Sequence, residues 1–206
     1  MGLLLALCGT AVASEAGHRF VPADLARLAD LSEPQFGPDG ETLAYTVTSA
    51  NGDEDKSQSD LWRVGFDGSA RRPLTRTPGS NEWRPQWSAD GKGIAFLSDR
   101  VHAGEDKDDA ETQVWVMPAA GGNAKRLTTM PAGVEDFVWS PDGRQLALVA
   151  MDAEFPAGTA KPKNPAPIVT TRYQFKEDGA GYLGDRRKHL HLLDISSGKL
   201  EQLTSG

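Results

Sequence analysis

Cysteine is almost missing from this sequence. Cys8 is the single one among 206 residues, and one thiol forms neither an internal disulfide nor a cysteine metal cluster. Cations are in deficit too: 22 Lys and Arg stand against 29 Asp and Glu, a formal charge of −7. A chain of that sign lacks the basic face that nucleic-acid binding requires, so no nucleic-acid partner is expected. The apolar run at residues 3–13 is well short of the roughly 20 residues that span a bilayer, so stable membrane insertion is not expected. No Gly-x-Ser-x-Gly elbow occurs, which excludes a hydrolase-type serine nucleophile and its triad within these residues. No phosphate loop occurs either, because Gly198-Lys199 runs on into Leu200. The Asp53–Asp60 run alternates oxygen ligands, but an EF-type loop would place Gln58 where Gly is needed and Val64 where Glu is needed. It reads as a solvated loop, as does the acidic run Glu105, Asp106, Asp108, Asp109 and Glu111. Four histidines show no compelling ligand spacing, although His189 and His191 share one face of a strand. No metal and no cofactor are expected.

What is present points to a globular protein: 38% of the residues are hydrophobic and 25% charged. The run "LLLALCGTAVA" ends in Ala11-Val12-Ala13, the small-x-small pattern of a secretory signal cut after residue 13 or after Ala16. No Lys or Arg precedes the run, so its start is atypical. The alternatives are a buried N-terminal strand and a lipid anchor on Cys8, the latter opposed by Leu7 just before it. The signal reading places the protein in the periplasm or outside the cell.

A phrase recurs three times: "PQFGPDG", "PQWSADG" and "FVWSPDG". Their aspartates, Asp39, Asp90 and Asp142, are 51 and 52 residues apart. "DLWRV" (60–64) and "QVWVM" (113–117) repeat at 53, as do Leu74-Thr75 and Leu127-Thr128. "HLHLL" (189–193) and Leu203-Thr204 make a third set after about 23 extra residues. Marks recurring in one order at a fixed period signal repeat architecture. Ser-Pro-Asp-Gly suits a tight turn: Pro presets φ, Asp bonds nearby backbone and Gly takes positive φ. Each unit therefore reads as four antiparallel strands, the second of them ("TLAYTVT", "GIAFLSD", "QLALVAM") apolar enough to be covered on both faces.

The fold class that follows is all-β, a partial β-propeller of about three four-stranded blades with Ser-Pro-Asp-Gly-type repeats. The expected blades are 34–76, 83–129 and 135–204, within a propeller region of 34–206. The lead-in at 18–33 is expected to hold a short one-faced helix from Pro22 through Leu25, Leu28 and Ala29. The five tryptophans fall within the pattern as core between blades. Three blades do not close a ring. The expectation is the N-terminal part of a longer protein; an oligomer that completes the ring is the alternative.

The third unit carries an insertion, residues 155–188. Its proline-rich start is stiff, and Arg172, Tyr173, Lys176, Glu177, Asp178, Tyr182, Arg186 and Arg187 follow. Charged and aromatic residues on a long loop over a rigid scaffold mark a place for substrate or partner contact, with Arg172, Glu177, Asp178 and Tyr182 as the residues of interest. The other reading is a solvated hairpin covering the sheet edge.

The Ser-Pro-Asp-Gly units, the lead-in "FVPADLARLADLSEPQFGPDG" and the insertion "TRYQFKEDGAGYLGDRRKHLHLLD" together resemble the N-terminal propeller of the prolyl oligopeptidase family, in its bacterial acylaminoacyl-peptidase and dipeptidyl-peptidase-like branch. The resemblance covers residues 18–206. It implies further blades and a C-terminal α/β-hydrolase domain as partners, a short peptide as substrate, and a propeller that restricts access to a Ser-Asp-His triad. It also implies that Glu177, Asp178 and Arg172 hold a peptide's N-terminus or carbonyl; a carboxylate pair binds an α-ammonium by charge-assisted hydrogen bonds. The hydrolase domain is absent from this sequence, so the chain alone is expected to be inactive. Tol-Pal-type periplasmic propellers share the Ser-Pro-Asp-Gly unit, and a non-catalytic propeller binding a protein partner is the alternative.

Overall fold

The repeated phrases close hairpins, and the hairpins build three sheets. The computed structural model describes residues 19–52, 55–105, 110–154, 167–170, 173–178, 181–182 and 186–205; the signal segment and Cys8 lie outside them. The first sheet holds β1 (Ala29–Phe36), β2 (Thr42–Asn51), β3 (Lys56–Gly65) and β4 (Arg72–Pro73) in that order. The second holds β5 (Glu82–Trp87), β6 (Gly93–Ser98), β7 (Gln113–Pro118) and β8 (Lys125–Arg126). β9 (Asp136–Trp139) and β10 (Gln145–Met151) open the third. A small hairpin follows, β11 (Lys176–Glu177) with β12 (Gly181–Tyr182), and then β13 (Lys188–Asp194) and β14 (Leu200–Gln202) complete that sheet. All pairings are antiparallel, and the chain is a partial propeller of three blades.

Two boundaries differ from expectation. β1 starts at Ala29 rather than near residue 34, because the ten-residue β2 offers Thr46 to Ser49 as partners for residues 29–32. The lead-in helix is a 3₁₀ turn, Pro22–Arg27, packed against β2. Its Leu25, and Leu28 just beyond it, are each 58% exposed, so it has no buried apolar face. The Asp53–Asp60 run is also less loop than expected, since Lys56 to Asp60 lie in β3.

The turns use their residues as the pattern demands. Ser140 N–H bonds the Gln145 carbonyl (2.8 Å) and Gly143 N–H the Ser140 carbonyl (2.9 Å), with Gly143 at φ 69°. The Asp142 carboxylate accepts from the Ser140 hydroxyl (2.6 Å) and Arg144 N–H (3.1 Å). Ser88 and Asp90 repeat the arrangement in the second sheet. Donation from the serine hydroxyl first, then from the backbone, holds Asp90 and Asp142 below the ordinary carboxylate value. A related turn after β13 goes further: the Ser197 N–H and the hydroxyls of Ser196 and Ser197 hold Asp194 down to about 2.

The Leu-Thr mark has a mechanical meaning. Thr75 Oγ1 accepts Leu61 N–H (2.9 Å), Thr128 Oγ1 accepts Val114 N–H (2.9 Å) and Thr204 Oγ1 accepts Leu190 N–H (3.0 Å). Each threonine thus ties the last strand of its sheet to the third. It also meets the side chain one residue earlier: Asp60 at 3.4 Å, Gln113 at 2.7 Å and His189 at 3.4 Å.

The sheets stack face to face. Leu61 and Leu74 of the first meet Phe96, Trp115 and Met117 of the second. Ala95, Leu97, Val114 and Leu127 of the second meet Phe137, Leu146, Leu148 and Leu193 of the third. β6, covered on both sides, is buried from Ile94 to Ser98. The expectation of two covered faces fails for β10, where burial alternates residue by residue. Its outward residues Ala147 and Val149, with Leu190 (43% exposed) and Leu203 (52% exposed), occupy the positions that Ala95, Leu97, Val114 and Leu127 hold in the second sheet. The uncovered face therefore has the composition of a covered one.

Thr128→Val leaves Val114 N–H without its acceptor in a buried site and is expected to cost about 1–3 kcal/mol, read from urea denaturation; an unchanged midpoint would show the clasp to be dispensable. Asp194 is expected to titrate near 2 by carboxyl-carbon NMR, against an ordinary 3.8. A depressed carboxylate stabilises the fold above its unfolded value, and that contribution is lost as pH falls through the folded one.

Candidate functional site

The insertion of the third blade leaves the sheet between β10 and β13. Its neck is closed by Asp152: Asp152 N–H bonds the Arg187 carbonyl (2.8 Å), Arg187 N–H returns to Asp152 Oδ2 (3.0 Å), and His189 Nε2 lies 3.4 Å from Oδ1. Lys188 Nζ reaches Glu135 at 2.6 Å beside it. His189 is thereby engaged on both ring nitrogens, by Asp152 and by Thr204. Burial first, then the neighbouring His189, lowers the basicity of His191. Among the described residues no cluster of three His, Cys, Asp or Glu side chains could hold a metal.

Of the four residues singled out in the insertion, Glu177 and Asp178 stand exposed at the end of the β11–β12 hairpin. Tyr182 pairs with Lys176 in that hairpin, placed by its backbone. Arg172 lies outside the described residues. Tyr173 beside them is fully exposed. Glu105, read as part of a solvated tip, is instead ion-paired with Arg126, and its other oxygen accepts His102 N–H at 3.0 Å. Asp106, Asp108 and Asp109 lie outside the described residues.

A second set of polar groups was not visible as a motif. The first strands of successive sheets touch directly. Trp87 Nε1 donates to the Gln35 carbonyl (3.2 Å), and Trp139 Nε1, its equivalent one sheet later, donates to the Gln86 carbonyl (3.4 Å). Gln86 Nε2 reaches forward to the Phe137 carbonyl (2.7 Å). The charged residues Glu33, Arg84 and Asp136 follow the same row. Glu33 Oε2 accepts Arg84 N–H (2.6 Å) and the Thr46 hydroxyl (2.9 Å), and Arg84 Nη2 lies 2.5 Å from Asp136 Oδ1.

Glu33 and Arg84 sit at φ 54° and 56°, left-handed values that residues other than glycine rarely adopt. Each precedes a proline and forms a bulge. Glu33-Pro34 together oppose Tyr45, and Arg84-Pro85 together oppose Phe96. Proline has no N–H to donate to a ladder, and a bulge needs none at that place. β9 has no proline and no bulge. The signal that could have found these residues was Glu-Pro-Gln and Arg-Pro-Gln recurring in step, 51 residues apart.

These repeats match the family described as PD40, TolB beta propeller domain, over residues 26–171. The chain belongs to this propeller family. It is 30% identical over 194 residues to the uncharacterized peptidase YuxL of Bacillus subtilis (strain 168), covering 88% of this chain and 27% of YuxL. It is 34% identical over 139 residues to dipeptidyl-peptidase 5 of Porphyromonas gingivalis, covering 68% of this chain and 19% of that protein. The structure resembles Pyrococcus horikoshii acylaminoacyl peptidase with a TM-score of 0.63 and 22% identity, covering 86% of this chain and 25% of that one. The last likeness concerns the fold. The chain is a PD40 propeller region related in sequence to YuxL and dipeptidyl-peptidase 5. It spans 27% or less of the length of these relatives, and it does not cover the catalytic domain.

Within this PD40 propeller the Glu33–Arg84–Asp136 row runs along the first strands of the three sheets. Arg84 and Asp136 side chains are 38% and 42% exposed, while the paired oxygen, Asp136 Oδ1, is itself buried. A double-mutant cycle of Arg84→Ala with Asp136→Ala is expected to give a coupling of about 0.2–1 kcal/mol in denaturant unfolding. A coupling of zero would reduce the pair to a chance juxtaposition.

Proposed function

We propose that this chain is the substrate-gating propeller segment of a secreted or periplasmic serine peptidase acting on short peptides. The observation that carries the reading is the outward face of the third sheet. Ala147, Val149, Leu190 and Leu203 repeat the positions through which the second sheet binds its neighbour. A face of that kind takes another blade, and further blades lead, by kinship with YuxL and dipeptidyl-peptidase 5, toward a catalytic α/β-hydrolase domain. The propeller then filters by size, and the third-blade insertion offers Arg172, Glu177, Asp178 and Tyr182 to the peptide. Glu177 and Asp178, exposed on a hairpin with a closed neck, suit a peptide α-ammonium.

The test begins with the coding sequence beyond Gly206. The reading expects further blades and a Gly-x-Ser-x-Gly elbow in frame. In the product so defined, Glu177→Gln with Asp178→Asn is expected to raise KM about tenfold, the equivalent of roughly 1.4 kcal/mol, for peptides with a free α-amine. N-acylated peptides should be unaffected. Equal effects on both substrates would remove the insertion from the site.

A second reading is favoured by the match to the TolB beta propeller description over residues 26–171. Here the propeller is non-catalytic and binds a protein partner in the periplasm. A frame that closes after more blades without a nucleophile elbow would decide for it.

A further inference from the structure

The insertion of the third blade and the last strand of the same sheet meet at one side chain. His189, on β13 and 8% exposed, has Nε2 3.4 Å from Asp152 Oδ1 and Nδ1 3.4 Å from Thr204 Oγ1. Asp152 closes the neck of the insertion: its N–H bonds the Arg187 carbonyl (2.8 Å) and its Oδ2 accepts Arg187 N–H (3.0 Å). Thr204 is the clasp of the last strand: its Oγ1 accepts Leu190 N–H (3.0 Å). Among the described residues no hydrogen bond or ion pair joins Asp152 to Thr204 directly, so the imidazole is what connects the two.

The position is a repeated one, and the second sheet uses it differently. Gln113 stands there, opposite Ser98 as His189 stands opposite Ala150. Both ends of its amide stay with the segment after β8: Oε1 accepts from Thr128 (2.7 Å) and Met130 N–H (2.9 Å), and Nε2 donates to the Met130 carbonyl (2.8 Å). Arg100, in the place of Asp152, turns instead to Glu82 at 2.8 Å. Clasp and hairpin end are therefore separate in that sheet. An imidazole presents two nitrogens on different sides of a rigid ring, so His189 grips the last strand with one and the neck with the other.

The donors and acceptors run in one direction. A carboxylate only accepts, which assigns the imidazole proton to Nε2 and leaves Nδ1 as the accepting nitrogen. Nδ1 then takes the Thr204 hydroxyl proton, while the hydroxyl oxygen accepts Leu190 N–H. The series passes from Leu190 through Thr204 and His189 to Asp152, which Arg187 N–H meets from the other side. Hydrogen bonds in series polarise one another, so each is stronger while the others stand. We propose that His189 makes the insertion neck and the last-strand clasp one cooperative unit, so that a contact made on the insertion is transmitted to β14. Without Asp152 nothing holds the proton on Nε2, and the Thr204 hydroxyl loses a fixed acceptor. Coupling of this kind is reciprocal, and it holds whatever the insertion binds.

The test is amide hydrogen exchange in the intact chain, with the amides of β6 as reference. Asp152→Ala is expected to speed exchange of Leu190 N–H roughly fivefold, about the worth of one net hydrogen bond, although Thr204 is untouched. Thr204→Val is expected to do the same to Arg187 N–H, although Asp152 is untouched. In a His189→Phe background both cross-effects vanish. Amides that respond only to the loss of their own partner, or only in step with β6, overturn the proposal. Nitrogen NMR of the imidazole in the unsubstituted chain at neutral pH gives an answer even if a variant fails to fold. A proton on Nε2 alone is expected, and a proton on Nδ1 overturns the one-way series.

Discussion

A four-stranded sheet has two faces, and burying both requires a neighbour on each side. Most of this molecule follows from that requirement. The second sheet meets it on both sides, so β6 is buried from Ile94 to Ser98 and can be apolar at every one of its positions but the last. The first and third sheets meet it on one side each. At about 25 cal/mol per Å² of apolar surface removed from water, this stacking outweighs any single polar contact described above. It also explains why the marks recur near every 50 residues. Each sheet solves the same packing problem with the same positions, and each hands the next an equivalent face.

The polar groups are arranged around that stacking rather than against it. Serine and aspartate close the turns at one end, where the carboxylates remain in water and cost little. Threonine closes the last strand, with one hydroxyl satisfying a backbone N–H that the two-residue strands β4 and β8 cannot reach. The tryptophans serve both purposes. The rings of Trp83, Trp115 and Trp139 join the apolar layers, and the indole N–H of Trp87 and Trp139 bonds a carbonyl of the preceding sheet. The seams differ where the sequence drifts. A neutral Gln113 saturates one seam; in the other, buried Glu82 is paired with Arg100. What the repeats leave over is the third-blade insertion and the charged row of Glu33, Arg84 and Asp136.

Kinship and geometry complement each other. The PD40 match places the chain among propellers, and the sheet faces show how one blade packs on the next. The strained bulges at Glu33 and Arg84 belong to the same account. A left-handed residue before proline is costly, and it persists because the neighbouring sheet fixes it: Glu33 accepts the Arg84 N–H, and Asp136 takes the Arg84 side chain.

The sequence by itself determined the repeat, the hairpins, the fold class and the place of the insertion. These are consequences of local rules. Proline and glycine fix turn geometry, strand residues recur in step, and a period survives drift in the residues between its marks. Where the local pattern was weak it misled: β1 begins before its motif, and the one-faced helix is an exposed 3₁₀ turn. The tertiary structure alone decided which polar groups meet. The Glu33–Arg84–Asp136 row, the Glu82–Arg100 pair and the capture of His189 by Asp152 and Thr204 join residues from separate segments of the chain. Contacts of that kind depend on the angle and spacing at which one sheet lies on the next, which no local pattern encodes.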